Sequence, residues 1–357
     1  MHEKQKTNIK SINIVYLITV LIAVIVPFLP LDFLAERPVA AIIFSQIMLA
    51  FPAIIYMVVR RLPYAETVRF KKMKFVDILL TLLFGILIQP VITLISALSM
   101  VFAKNVTGAS IFEVADRVPF LVCLLLVAVM PAVMEETVYR GVFYNEYGKI
   151  NPVKAALLSG LMFGIMHGNI NQFCYAAVMG IIFALLVEAT GSIISTMLVH
   201  FWTNAASVVM FYIYPKLYEV AKNYYNMYKE YGNVTMASMM EETFGDMTLS
   251  ATEWTRQLME SAANIQLTVP QVFLMYGPQA LIMGILAFFV YKKLAIGSGN
   301  WDRICASFKK QPVVTMEELP VVEVPEKKRM ITIPWIIASL LGIAYMIFFE
   351  FLLQGNM

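Results

Sequence analysis

Residues 118–146 read VPFLVCLLLVAVMPAVMEETVYRGVFYNE. The run is long enough to cross a bilayer, which takes about 20 apolar residues. It nevertheless holds Glu135, Glu136 and Arg140. An ionisable side chain inside a span is expensive, so each one is a functional candidate by default. This stretch therefore sets both the fold class, a helical membrane protein, and the place to look for chemistry.

The rest of the chain agrees with that class. Of its 357 residues, 14% are charged and 60% are hydrophobic. A soluble domain carries roughly 25% charged residues. The mean hydropathy is +0.73. These values exclude a disordered chain, a nucleic-acid-binding tail and an ordinary water-soluble enzyme. The net charge of +3 is too small to call for a polyanionic partner. Cys123, Cys174 and Cys305 are too few and too scattered for a disulfide framework.

Working outward from 118–146, apolar runs of spanning length fall near 12–34, 39–59, 75–103, 153–173, 174–190, 192–214, 271–294 and 331–353. The expectation is an all-α bundle of about nine spans. The runs are continuous, whereas barrel strands alternate over roughly ten residues. The first run exceeds the roughly 7–15 residues of a signal-peptide core, so it reads as a retained span. The organisation expected is spans 1–3 in 1–117, a polar-bearing core in 118–214, a loop insertion at 215–268, and spans 8–9 in 269–357 with a linker at 295–330.

Lys and Arg give the orientation. They gather in the tail (Lys4, Lys6, Lys10), in 60–74 (Arg60, Arg61, Arg69, Lys71, Lys72, Lys74), at Lys149, and between the last two spans (Lys292, Lys293, Arg303, Lys309, Lys310, Lys327, Lys328, Arg329). With the N-terminus inside, all four groups fall on one side and the C-terminus falls outside. The 215–268 insertion then lies outside, and its spacing permits two amphipathic helices forming a cap or an interfacial pair.

Few spans contain ionisable groups. Besides Glu135, Glu136 and Arg140 there are His167 in Phe163-Gly-Ile-Met-His167, and His200 with Asn204 in His200-Phe-Trp-Thr-Asn204. At 1.5 Å per residue, Glu135 lies roughly 15 Å from the inner end of its span, His167 roughly 20 Å and His200 roughly 12 Å. All three can meet near mid-bilayer. Glu136 and Arg140 are i,i+4 and can pair on one face. Glu135 is rotated about 100° away and is free to point into the bundle. That suits a general base acting on water. His200 and Asn204 share a face, and both side chains offer N–H donors suited to an oxyanion. Alone, a Glu–Arg pair or one membrane histidine is more often structural. The weight lies in the combination. Gly160, Gly164 and Gly168 read as a close-packing stripe, Pro131 as a kink, and Glu188 and Glu350 as snorkelling residues at span ends.

This combination resembles the CPBP family of intramembrane proteases, also called the Abi or type II CAAX-prenyl-protease family. Its motifs EExxxR, FxxxH and HxxxN stand here as Glu135-Glu136-Thr-Val-Tyr-Arg140, Phe163-Gly-Ile-Met-His167 and His200-Phe-Trp-Thr-Asn204, in order on separate helices. The resemblance covers about 100 residues. It implies that Glu135 activates a water which His167 positions, that His200 and Asn204 stabilise the oxyanion, and that Glu136, Arg140 and Phe163 support the site. It implies no cofactor. Zinc is the alternative, for which Glu135, His167 and His200 would supply three ligands, although no HExxH is present.

The family's eukaryotic branch cleaves prenylated CAAX proteins, and its bacterial branch includes peptide-processing and bacteriocin-immunity members. This chain reads as a bacterial multi-pass cell-membrane protein with a cytoplasmic N-terminus. The expected partners are the lipid bilayer and a membrane-associated or secreted peptide or protein substrate, with no nucleic acid. The competing expectations are a non-enzymatic immunity factor or scaffold of the same family, and a proton-relaying transporter. No internal repeat of the kind common in secondary transporters is visible.

Overall fold

A computed structural model describes residues 8–35, 37–308 and 329–355. Lys4, Lys6, Lys309, Lys310, Lys327 and Lys328, and with them most of the 295–330 linker, lie outside the described residues. Among those described, the secondary structure is entirely helical. The main helices are α1 (Ile9–Ile25), α2 (Pro38–Val59), α3 (Phe75–Ser99), α4 (Thr107–Arg117), α5 (Phe120–Gly148), α6 (Pro152–Ile165), α7 (Ile170–Thr190), α8 (Ile194–Glu230), α9 (Val234–Phe244), α10 (Ala251–Asn264), α11 (Val269–Gly297), α12 (Trp301–Phe308) and α13 (Ile333–Gly355).

Eight of these are long and apolar enough to cross a membrane: α1, α2, α3, α5, α7, α8, α11 and α13. The expected span at 153–173 is the exception. It is the 14-residue helix α6, about 21 Å long. The boundary with α7 also falls earlier than the expected 173/174. Asn151 caps the start of α6 by accepting from the Lys154 N–H at 2.8 Å. Asn169 starts α7 by accepting from the Gln172 N–H at 2.8 Å. Gly168 turns the chain between them with a φ of +71°, a conformation natural to glycine. Gly168 is thus a turn residue and no part of a packing stripe. Gly160 and Gly164 do pack as expected. A Cβ on Gly160 would lie 2.7 Å from the Ala177 carbonyl oxygen, and one on Gly164 would lie 2.8 Å from that of Phe173.

The basic segments that are described converge on one face. Asn13 of α1 donates to the Met330 carbonyl at 3.0 Å and accepts from the Tyr147 hydroxyl. Ser192 donates to the Lys71 carbonyl at 2.6 Å, and Asn300 donates to the Ala189 carbonyl at 3.2 Å. Glu188 ties this face together. It accepts from Arg69 and Tyr144, each at 2.8 Å, and pairs with Arg303. Snorkelling does not describe it, because Glu188 is 2% exposed. Glu350 is likewise buried and accepts from the Lys104 N–H at 3.4 Å on the opposite face. The α6–α7 turn reaches that opposite face, where Asn171 donates to Ser99 at 2.8 Å.

The insertion differs from the expectation in one respect. Helix α8 does not stop at 214 but continues through Pro215 to Glu230. Its 37 residues span about 55 Å, well beyond a roughly 30 Å hydrocarbon core. The two expected helices follow as α9 and α10 and fold back on this extension. The Tyr218 and Trp254 rings stack at 4.8 Å. The Tyr218 hydroxyl donates to the Asp246 carbonyl at 2.8 Å, and Lys222 donates to the Leu249 carbonyl at 2.6 Å.

Candidate active site

Helix α5 carries the two glutamates on an irregular backbone. Pro131 has no N–H, so it cannot bond the carbonyl of Val127 in a regular i→i−4 ladder. The helix answers with a π-helical stretch at Leu125–Val129. Asn204 donates to the Val127 carbonyl at 3.1 Å. A second π-helical stretch, Thr137–Tyr144, follows the glutamates. There Ser159 of α6 donates to the Tyr139 carbonyl at 2.8 Å. The expected Pro131 kink is therefore a local change of helical pitch, a feature frequent at functional sites.

Between these stretches, Met130–Glu136 is α-helical, and the two carboxylates part company. Glu136 is fully buried. Its Oε1 accepts from Arg140 at 3.0 Å and faces His200 Nδ1 at 2.9 Å. Arg140 is equally buried, and its guanidinium carbon lies 4.4 Å from the Phe163 ring centroid and 5.2 Å from that of Phe183. The phenylalanine of FxxxH is thus a platform for the arginine of EExxxR, a contact of the cation–π kind. Phe163 also meets His167 edge-on, with centroids 4.8 Å apart, and His200 at 6.1 Å. Gly180 leaves the room this stack needs, since a Cβ there would sit 3.3 Å from Arg140 Nη2 and 2.7 Å from the Gly160 Cα.

Glu135 points elsewhere, as the 100° rotation requires. Its Oε1 accepts from Gln46 of α2 at 3.0 Å. Its Oε2 lies 3.8 Å from His200 Nε2. It lines a cavity of about 280 Å³ with Tyr139, Phe163, Met166 and His167, and the cavity is lined also by Thr19, Ile22 and Val26 at α1 and by Ser45, Gln46 and Leu49 of α2.

The hydrogen-bond partners fix the histidine tautomers. His167 Nδ1 lies 2.8 Å from the Phe163 carbonyl, which can only accept. His200 Nδ1 faces the Glu136 carboxylate. Each Nδ1 therefore carries a proton, and each Nε2 is an acceptor in the neutral ring and a donor in the charged one.

The structure thus brings together Glu135, Glu136, Arg140, Phe163, His167 and His200. Asn204 is one turn along α8 from His200, with one amide N–H committed to Val127. Among the described residues no three His, Cys, Asp or Glu side chains gather as a metal-holding group. Sequence reasoning did not find Gln46, an uncharged polar residue beside Ser45 in the apolar run 39–59. Its only signal was its position there.

The match to a family model covers the same part of the chain. Residues 117–206 match the family model described as type II CAAX prenyl endopeptidase Rce1-like. The protein named "Putative membrane peptidase YdiL" of Bacillus subtilis (strain 168) is 28% identical over 102 residues. That match takes in 28% of this chain and 41% of the relative, so the chain spans about two fifths of the curated relative's length. No solved structure matches. Over residues 117–206 the chain is thus similar to the type II CAAX prenyl endopeptidase Rce1-like family, within a protein whose eight long apolar helices are those of a multi-pass membrane protein.

Proposed function

We propose that the protein is an intramembrane endopeptidase that hydrolyses a peptide bond of a membrane-associated or secreted peptide or protein with a water activated by Glu135. The observation that carries this reading is the division of labour between adjacent carboxylates. Glu136 is spent on Arg140 and His200 in a sealed interior, while Glu135 lines the cavity with His167.

The steps follow from these positions. A water beside Glu135 donates to its carboxylate, and His167 Nε2 orients it. The Glu135 carboxylate takes one proton as the water oxygen attacks the scissile carbonyl carbon. The resulting oxyanion is met by His200 Nε2–H in the charged ring, with the Glu135 and Glu136 carboxyl groups on either side of the imidazolium. Asn204 joins through the amide N–H that it does not give to Val127. Glu135 then returns its proton to the leaving nitrogen, the C–N bond breaks, and a carboxylic acid and an amine are released, the acid's proton passing to the amine to leave a carboxylate and an ammonium. No step is routed through a metal. The positive-inside rule puts the basic face in the cytoplasm, and the α9–α10 cap on the far side.

The test is a screen of membrane-derived, secreted and prenylated peptides against the purified protein in nanodiscs, read by mass spectrometry beside Glu135→Ala. Cleavage by wild type alone supports the reading and names the substrate class. Equal cleavage by both rejects the role of Glu135. No cleavage by a folded wild type moves the weight to an immunity or scaffold function.

A further inference from the structure

Two polar atoms on residues of the Glu135 cavity wall have no hydrogen-bond partner among the described residues. One is Gln46 Oε1, and the other is the Tyr139 hydroxyl. Both are buried at the atom, and both residues line the cavity. Leaving a buried polar group unpaired costs stability, and Tyr139 is only 1% exposed. Neither residue is used by the three motifs as metal ligand, base or oxyanion donor. Their chemistry is complementary: an amide oxygen only accepts, and a phenol can donate. One peptide group offers the matching pair, an N–H and a C=O.

Gln46 also acts on Glu135 itself. Its Nε2 donates to Oε1 at 3.0 Å, so that oxygen is held and Oε2, on the His200 side, is left as the basic one. Gln46 belongs to α2, outside the family-matched segment 117–206. The apolar remainder of the wall, Ile22, Val26, Leu49 and Met166, suits uncharged side chains.

We propose that Gln46 and Tyr139 form a backbone clamp: Gln46 positions the Glu135 carboxylate through Nε2, while Gln46 Oε1 accepts from, and the Tyr139 hydroxyl donates to, a peptide group of an extended apolar substrate segment beside the scissile bond. This rests on the protease reading above. It assigns substrate contact to a helix that carries none of the motifs, and it makes the peptide backbone the feature recognised.

Two variants and two readouts test it in the full-length protein in nanodiscs. Gln46→Met keeps length and flexibility and removes both polar atoms. Tyr139→Phe removes only the hydroxyl. The first readout needs no substrate. Infrared difference spectra against Glu135→Gln isolate the Glu135 carboxyl bands, and Gln46→Met is expected to shift them; unshifted bands overturn the positioning role. The second readout is kinetic, on whichever peptide the screen shows to be cleaved. Gln46→Met is expected to lower kcat/KM by about tenfold to a hundredfold, the effect of losing a hydrogen bond to a charged group. Tyr139→Phe is expected to raise KM by about three- to tenfold with no loss of thermal stability, because the hydroxyl has no partner to lose. An unchanged KM, or a fall in stability with unchanged kinetics per folded molecule, overturns the clamp. If wild type cleaves nothing, the protease reading falls and the clamp with it, while the infrared comparison still decides whether Gln46 holds Glu135.

Discussion

Arg140→Met is the most informative perturbation of the buried cluster. Arg140 and Glu136 have no exposed side-chain surface, and they meet at 3.0 Å. The same Glu136 oxygen faces His200 at 2.9 Å. Removing the arginine leaves a desolvated carboxylate with the histidine as its remaining ionic partner. Breaking a buried pair in this way costs about 3–5 kcal/mol. The Phe163 and Phe183 faces lose their cation as well. At about 1.4 kcal/mol per decade, the ratio of folded to unfolded protein falls more than a hundredfold. The penalty comes chiefly from the orphaned charge, so neutralising that charge should relieve it. Arg140→Met/Glu136→Gln is therefore expected to be more stable than Arg140→Met alone. The assay is reversible unfolding in mixed micelles titrated with dodecyl sulfate, followed by tryptophan fluorescence, for both single variants and the double. If the double variant loses the sum of the two single losses, the two groups do not act as a pair and the reasoning is refuted.

Other outcomes follow from the same geometry. Gly160→Ala places a Cβ 2.5 Å from Ile181 Cγ1 and 2.7 Å from the Ala177 carbonyl oxygen; overpacking of this kind costs about 1–3 kcal/mol, and the forced separation of α6 from α7 should cut cleavage more than it cuts stability, as kinetics normalised to folded protein would show. Glu188→Gln removes the charge shared by Arg69 and Arg303, and limited trypsin digestion should then cut the 60–74 loop faster than in wild type. In the cap, hydroxyl and N–H donation by Thr248 holds the Asp246 carboxyl below its ordinary value, and donation by Ser250 does the same for Glu253. Depressed acids stabilise the fold above their unfolded values, and that contribution is lost as pH falls through the folded ones. Protection of the Thr248 and Ser250 amides against hydrogen exchange, taken relative to the intrinsic rate at each pH, should therefore fall on acidification while protection in α5 holds.

Much of this site was legible because polar groups in an apolar run are conspicuous. Glu135, Glu136, Arg140, His167 and His200 could be placed together by span, phase and depth, and the 100° offset already separated the cavity-lining carboxylate from the buried, paired one. Three things were hidden for physical reasons. The π-helical stretches depend on how Asn204 and Ser159 answer freed carbonyls, which no local pattern encodes. Glu188 looked like a span-end residue because its partners Arg69 and Arg303 are distant in sequence, and only the fold delivers them. Gln46 carries no charge, so it did not stand out among the apolar neighbours of α2. The length of α8 was misread at Pro215, where a polar, tyrosine-rich sequence follows a proline. The helix persists there because Tyr218 and Lys222 are held by the α9–α10 cap.

The central claim is that Glu135 supplies the base while Glu136 supplies structure. Its most direct test is Glu135→Gln on a peptide that the wild type cleaves. The amide oxygen of that variant can still accept from Gln46, so the cavity keeps its shape and only the proton acceptor is lost. Loss of a general base lowers the rate by about a hundredfold to ten-thousandfold, and the account predicts a fall of that size in kcat with KM little changed. Cleavage by Glu135→Gln at a rate near that of wild type would contradict the account.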